Sequence, residues 1–105
     1  SAEIVNGSVA IAINPKKEKD TSIVCAKAAD ELLTISDITA SFVLGDMGDK
    51  ICISGRSIGD VNVQVILEKL GGGGHITLAG AQVEGKTIEE VKQELIMCIS
   101  DYFAS

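Results

Sequence analysis

Arginine occurs once in this sequence, at position 56, and histidine once, at position 75. They bracket SGRSIGDVNVQVILEKLGGGGH (54–75), which ends in four consecutive glycines before the histidine. A guanidinium offers phosphate oxygens a planar fork of donors, and Ser54 and Ser57 could add hydroxyl contacts beside Arg56. Gly72, Gly73 and Gly74 let the backbone approach a ligand closely, and their N–H groups can point together into an anion-binding nest. No GK[ST] follows, so this is not a P-loop, and the glycines end a helix where a dinucleotide fingerprint would open one. Plainer readings stand beside this one. A single arginine on an acidic chain can make a surface ion pair, His75 can be structural, and the glycines can simply stop a helix.

The elements around these residues decide whether they can meet. SVAIAIN (8–14) reads as a buried strand closed by Asn14-Pro15. Asp20 can cap a helix from about Thr21 to Leu33, with Val24, Ala28 and Leu32 recurring every fourth residue. ITASFVLG (38–45) and KICIS (50–54) flank Asp46-Met47-Gly48-Asp49, which predicts an antiparallel hairpin. Asp60 is the expected N-cap of a second helix carrying Val63, Ile66, Leu67 and Leu70 on one face, with Gly71 at its C-terminal stop. LAGAQVEG (78–85) reads as another strand, and Thr87 three residues before Glu90 is a capping box. The helix it opens buries Val91, Leu95, Cys98 and Tyr102. The order β-α-β-β-α-β-α predicts an α/β fold, a mixed sheet with helices packed on it. The helix between Arg56 and His75 spans about 10 residues, or about 15 Å. The chain must fold back for both to reach one pocket, and the spacing permits it.

With 105 residues the chain is one domain, 1–105, of which residues 1–7 read as a linker or expression remnant. Its hydrophobic fraction of 46% excludes disorder, and Ile, Val, Leu and Ala must build a core that has only Phe42, Tyr102 and Phe103 as aromatics. A net charge of -6 argues against gripping a long nucleic-acid backbone but leaves a small anionic ligand open. Lys16, Lys17 and Lys19 form the one basic cluster and read as a solvated loop. Cys25, Cys52 and Cys98 are too scattered for a disulfide framework or a structural zinc site, so buried free thiols in a reducing compartment are expected. No apolar run is long enough to span a membrane.

Taken together, Ser54-Gly55-Arg56-Ser57, Asn62-Val63-Gln64, the glycines ending in His75 and Ala79-Gly80-Ala81 resemble the DHHA1 domain of DHH-family phosphoesterases. Within that superfamily the sequence looks most like the C-terminal domain of membrane-anchored cyclic-di-AMP phosphodiesterases. The resemblance implies a preceding DHH domain in the same chain that holds manganese and performs the hydrolysis. It implies no cofactor or metal in this segment, no membrane contact by it, a cytoplasmic location, and a parent able to dimerise. The ligand it implies is a cyclic dinucleotide or a short oligonucleotide. Carried over, Ser54, Arg56, Ser57, Gly72, Gly73 and Gly74 would hold the nucleotide, and His75 would assist catalysis by contacting the phosphate under attack. The cyclic-di-AMP branch usually has asparagine where Leu78 stands here, and Leu78 can make no hydrogen bond. Two alternatives remain open at this point. One is a nano-RNase or exonuclease domain of the same superfamily. The other is a non-catalytic α/β module that senses a metabolite.

Overall fold

A computed structural model describes residues 2–18 and 20–105; the first residue of the stretch 1–7 and Lys19 of the basic cluster lie outside that description. The elements run β1 (Glu3–Val5), β2 (Val9–Lys17), α1 (Thr21–Leu32), β3 (Ala40–Asp46), β4 (Ile51–Ser57), α2 (Val63–Glu68), β5 (Gly73–His75), β6 (Leu78–Val83) and α3 (Ile88–Ala104). The expected α/β order holds, with two short strands added. Glu3–Val5, inside the stretch read as a linker, pairs antiparallel with β2, and the end of the glycine run is itself a strand.

The six strands form one mixed sheet in the order β1-β2-β3-β4-β6-β5. Only β2 and β3 run parallel, and α1 makes the crossover between them. Asn14-Pro15 does not end β2: the strand continues to Lys17 through a register shift between Ile13 and Lys17. A proline fits there because β1 pairs only with Val9, Ala10 and Ile11, leaving that edge free of ladder bonds.

Side-chain alternation splits the sheet into two faces. On one, Val9, Ile11, Phe42, Leu44 and Ile53 pack against Ile66 and Leu67 of α2 and Val91, Leu95 and Ile99 of α3. Each such side chain contributes roughly 1.5–3 kcal/mol when fully buried, so this face holds the main core. On the other, α1 lies over β3 and β4 in a smaller cluster of Cys25, Ala29, Val43 and Cys52.

The buried face of α1 is Thr21, Cys25 and Ala29, one position on from the expected Val24, Ala28 and Leu32. Both series repeat every four residues, so periodicity alone cannot separate them. Close approach of helix to sheet decides. A Cβ on Gly45 would stand 2.7 Å from the Cys25 sulfur, so only small side chains fit beneath α1, and Val24 stays 38% exposed.

The N-cap of α2 is Asn62, whose side chain accepts from the Val65 N–H at 3.1 Å, and not Asp60, which is exposed. The Tyr102 hydroxyl accepts from the Asn62 N–H at 3.0 Å, tying the start of α2 to the end of α3. The Thr87–Glu90 capping box forms as expected, and α3 buries Val91, Leu95 and Ile99, with Cys98 and Tyr102 at the margin. Among the described residues, no helix is long and apolar enough to cross a membrane.

Candidate functional site

Strand β4 continues past KICIS to Ser57, so Arg56 is a strand residue with a fixed facing. Alternation along β4 puts Ser54 and Arg56 on the α1 side and Gly55 and Ser57 on the α2–α3 side. Ser57 is buried there, and its hydroxyl accepts the Gly59 N–H at 2.9 Å, so it does not share a face with Arg56. Two bonds hold the guanidinium of Arg56. Its Nε donates to Asp30 of α1 at 2.9 Å, and its Nη1 donates back to the Gly55 carbonyl at 2.9 Å.

Strand register carries this facing across the sheet. Arg56 pairs with Leu78 of β6, and Leu78 pairs with His75 of β5. Directly opposed residues share a face, so Arg56, Leu78 and His75 form one row on the α1 side. Two strand spacings separate the outer pair, about 10 Å between backbones. The row therefore brings the sole arginine and the sole histidine to one surface, with a half-exposed leucine between them. The turn that carries His75 is pinned. The Ile76 carbonyl accepts from the Val63 N–H, and the Thr77 carbonyl accepts from the Ser57 N–H, both at 3.0 Å.

The adjoining row reads Ser54, Gly80, Gly73. It forms the floor of an open groove of about 540 Å³, walled by Ser22 of α1 and bordered by Gly72 and Gln82. Ser54 is only 8% exposed, and among the described residues no protein group bonds its hydroxyl, which faces the groove.

The four glycines have separate reasons. Gly71 has φ +84° and closes α2: its N–H reaches the Glu68 carbonyl, and the next N–H, of Gly72, reaches back to Leu67 at 2.9 Å. Gly72 and Gly74 lie tight on β6, where a Cβ would come within 2.7 Å of the Ala81 Cβ and 2.6 Å of the Ala79 Cα respectively. A Cβ on Gly73 would meet nothing within 4 Å. The fold does not require that glycine, and it lies in the floor of the groove.

Of the residues singled out in the sequence, Ser54, Gly72 and Gly73 line the groove, Arg56 and His75 stand in the row beside it, Gly74 is packed into the sheet, and Ser57 is on the far face. Asp30 carries no signal in the sequence, being 26 residues from its partner. Gly80 could have been found, since a glycine inside a strand pattern marks a close approach.

Cys52 borders the groove and meets Cys25 beneath α1. The Cys25 thiol hydrogen-bonds the Cys52 sulfur, bringing Cys52 down to about 7 against the opposing effect of burial, while Cys25 is pushed up by the same bond and by burial. Among the described residues, no group of three or more His, Cys, Asp or Glu is placed to hold a metal ion.

Residues 6–104 match the DHHA1 domain family. The chain is 48% identical over 103 residues to the cyclic-di-AMP phosphodiesterase GdpP of Geobacillus thermodenitrificans, a match covering 97% of this chain and 16% of that protein. It is 43% identical over 104 residues to the cyclic-di-AMP phosphodiesterase PdeA of Listeria monocytogenes, covering 98% of this chain and again 16% of the relative. The chain thus spans about a sixth of the length of these relatives. In fold it is similar to an exopolyphosphatase-related protein from Bacteroides fragilis, with a TM-score of 0.75 at 19% identity over 96% of this chain and 31% of that one.

Proposed function

Because the chain belongs to the DHHA1 domain family, we propose that it is the substrate-gripping domain of a manganese-dependent phosphodiesterase that hydrolyses cyclic di-AMP. The observation that carries this reading is the row Arg56–Leu78–His75 beside a groove floored by Ser54, Gly80 and Gly73. One phosphate cannot bridge two residues about 10 Å apart when one of them is tethered. A nucleotide can, with phosphate at the arginine, carbon surface over Leu78, and a second polar group at His75. The two relatives named cyclic-di-AMP phosphodiesterases support the choice of ligand.

In this reading water adds to phosphorus as the ester P–O bond breaks, and the departing sugar oxygen takes a proton. Arg56 holds one phosphate of the ligand, His75 donates to the phosphate under attack where negative charge gathers, and the glycine floor lets the ligand lie close to the sheet. Among the described residues no donor set fits manganese, and in this reading the ions would sit in a preceding DHH domain of the parent, where they would activate water. The parent is membrane-tethered, with this domain on the cytoplasmic side, and works as a dimer.

The test is manganese-dependent hydrolysis by the full-length parent, with cyclic di-AMP and short linear oligonucleotides as substrates. Turnover of the cyclic dinucleotide that collapses in Arg56→Ala and His75→Ala is expected. Activity confined to oligonucleotides would transfer the domain to the nano-RNase branch. Full activity in both variants would leave a non-catalytic module.

A further inference from the structure

We infer that Asp30 is a positioning residue, a clasp that presets Arg56 for the ligand phosphate; this rests on the reading that Arg56 meets a phosphate. An arginine has five N–H donors in one plane. Nη1 donates to the Gly55 carbonyl and Nε to Asp30, which fixes the plane of the guanidinium at two points. Nη2 has no protein partner among the described residues, and its N–H groups, with the second N–H of Nη1, are left for phosphate oxygens.

Asp30 is held where it can do this. Ser41 of β3 is the register partner of Arg56, and its buried hydroxyl donates to the Ala29 carbonyl at 2.7 Å. That bond nails the Ala29–Asp30 turn of α1 to the sheet beside Arg56. The exposures are unequal, 13% for the arginine side chain and 64% for the aspartate. A carboxylate so open to water adds little to stability through its charge, so what the pair supplies is the direction of the guanidinium. It does so at some expense in affinity, because a carboxylate next to an anion site repels the ligand.

These two effects have opposite signs, which makes the inference testable. In the full-length parent, kcat and KM for cyclic di-AMP are measured for Asp30→Ala, Asp30→Asn, Arg56→Ala and the Asp30→Ala/Arg56→Ala double variant, with a thermal melt of each. Asp30→Ala should raise KM about tenfold with a smaller change in kcat and an unchanged melt. Asp30→Asn, which keeps an oxygen for Nε, should stay within about threefold of wild type. Asp30→Ala should cause no further loss in the Arg56→Ala background, because its favourable effect acts through the arginine. A lower KM in Asp30→Ala would make the aspartate a competitor and overturn the inference, as would wild-type kinetics in that variant while Arg56→Ala is impaired. Wild-type kinetics in Arg56→Ala would remove the phosphate reading itself, and the clasp with it.

Discussion

Ser54 and Gly73 stand on one cross-strand row with Gly80 between them, so three adjacent strands present a hydroxyl and two bare backbones to the groove. Gly73 and its neighbour Gly72 should therefore respond differently to the same substitution. Gly73→Ala adds a methyl to open space at a backbone any residue adopts, so its melting temperature should hold or rise slightly. Its methyl fills the floor, so turnover by the parent should drop at least tenfold. Gly72→Ala drives a Cβ into β6 and should lose about 1–3 kcal/mol of stability with or without ligand. Equal melts for the two variants would show that the glycines are interchangeable.

His75 is exposed at the end of a pinned hairpin, and its imidazole makes no hydrogen bond among the described residues. His75→Ala should leave urea unfolding unchanged while lowering kcat of the parent by about 10²–10³, the usual effect of losing one donor to a developing charge. A loss confined to KM would make the imidazole a binding group only.

The capping box gives a stability test apart from any ligand. Thr87→Ala removes the acceptor for the Glu90 N–H and should cost about 1 kcal/mol in denaturant melts at neutral pH. Hydrogen bonds from Thr87, the backbone one first, hold the Glu90 carboxyl below its usual value of 4.5. A lowered native value stabilises the fold above pH 4.5, and that share is lost as pH falls through the native value. Glu90→Gln should thus be less stable than wild type at pH 7 and level with it at pH 2. A constant difference across that range would break the linkage.

The thiol pair predicts a titration. The bond from Cys25 brings Cys52 down to about 7 from 9, so absorbance at 240 nm should rise through neutral pH and this step should vanish in Cys25→Ala. By linkage the Cys52 thiolate stabilises the fold fully above pH 9, and this contribution fades as pH drops through 7. A flat absorbance trace between pH 6 and 8 in wild type would show that both thiols stay protonated.

Local signals are legible in the sequence. Thr87 and Glu90 announce α3, and the spacing of Val63, Ile66 and Leu67 marks the buried side of α2. What needed coordinates was the meeting of distant segments. Two equivalent four-residue series competed in α1, and only the closeness of Gly45 chose between them. Asp60 and Asn62 are both good caps, and which one served depended on where β4 ended and on the grip of Tyr102. In the candidate site the residue types were legible, but their facing was not. Whether Ser57 joins Ser54 depends on how far β4 runs, because each added residue reverses the side. The Asp30–Arg56 contact comes from α1 crossing the sheet and leaves no trace in local spacing.

The glycine stretch is tied down along its length. Its first residue is locked by the end of α2, its second and fourth are wedged against β6, and the turn beyond is bolted to β4 and α2. It cannot serve as a hinge. If the domain grips a nucleotide as proposed, admitting or releasing it would move the domain as a body, with the imidazole riding on it as one jaw.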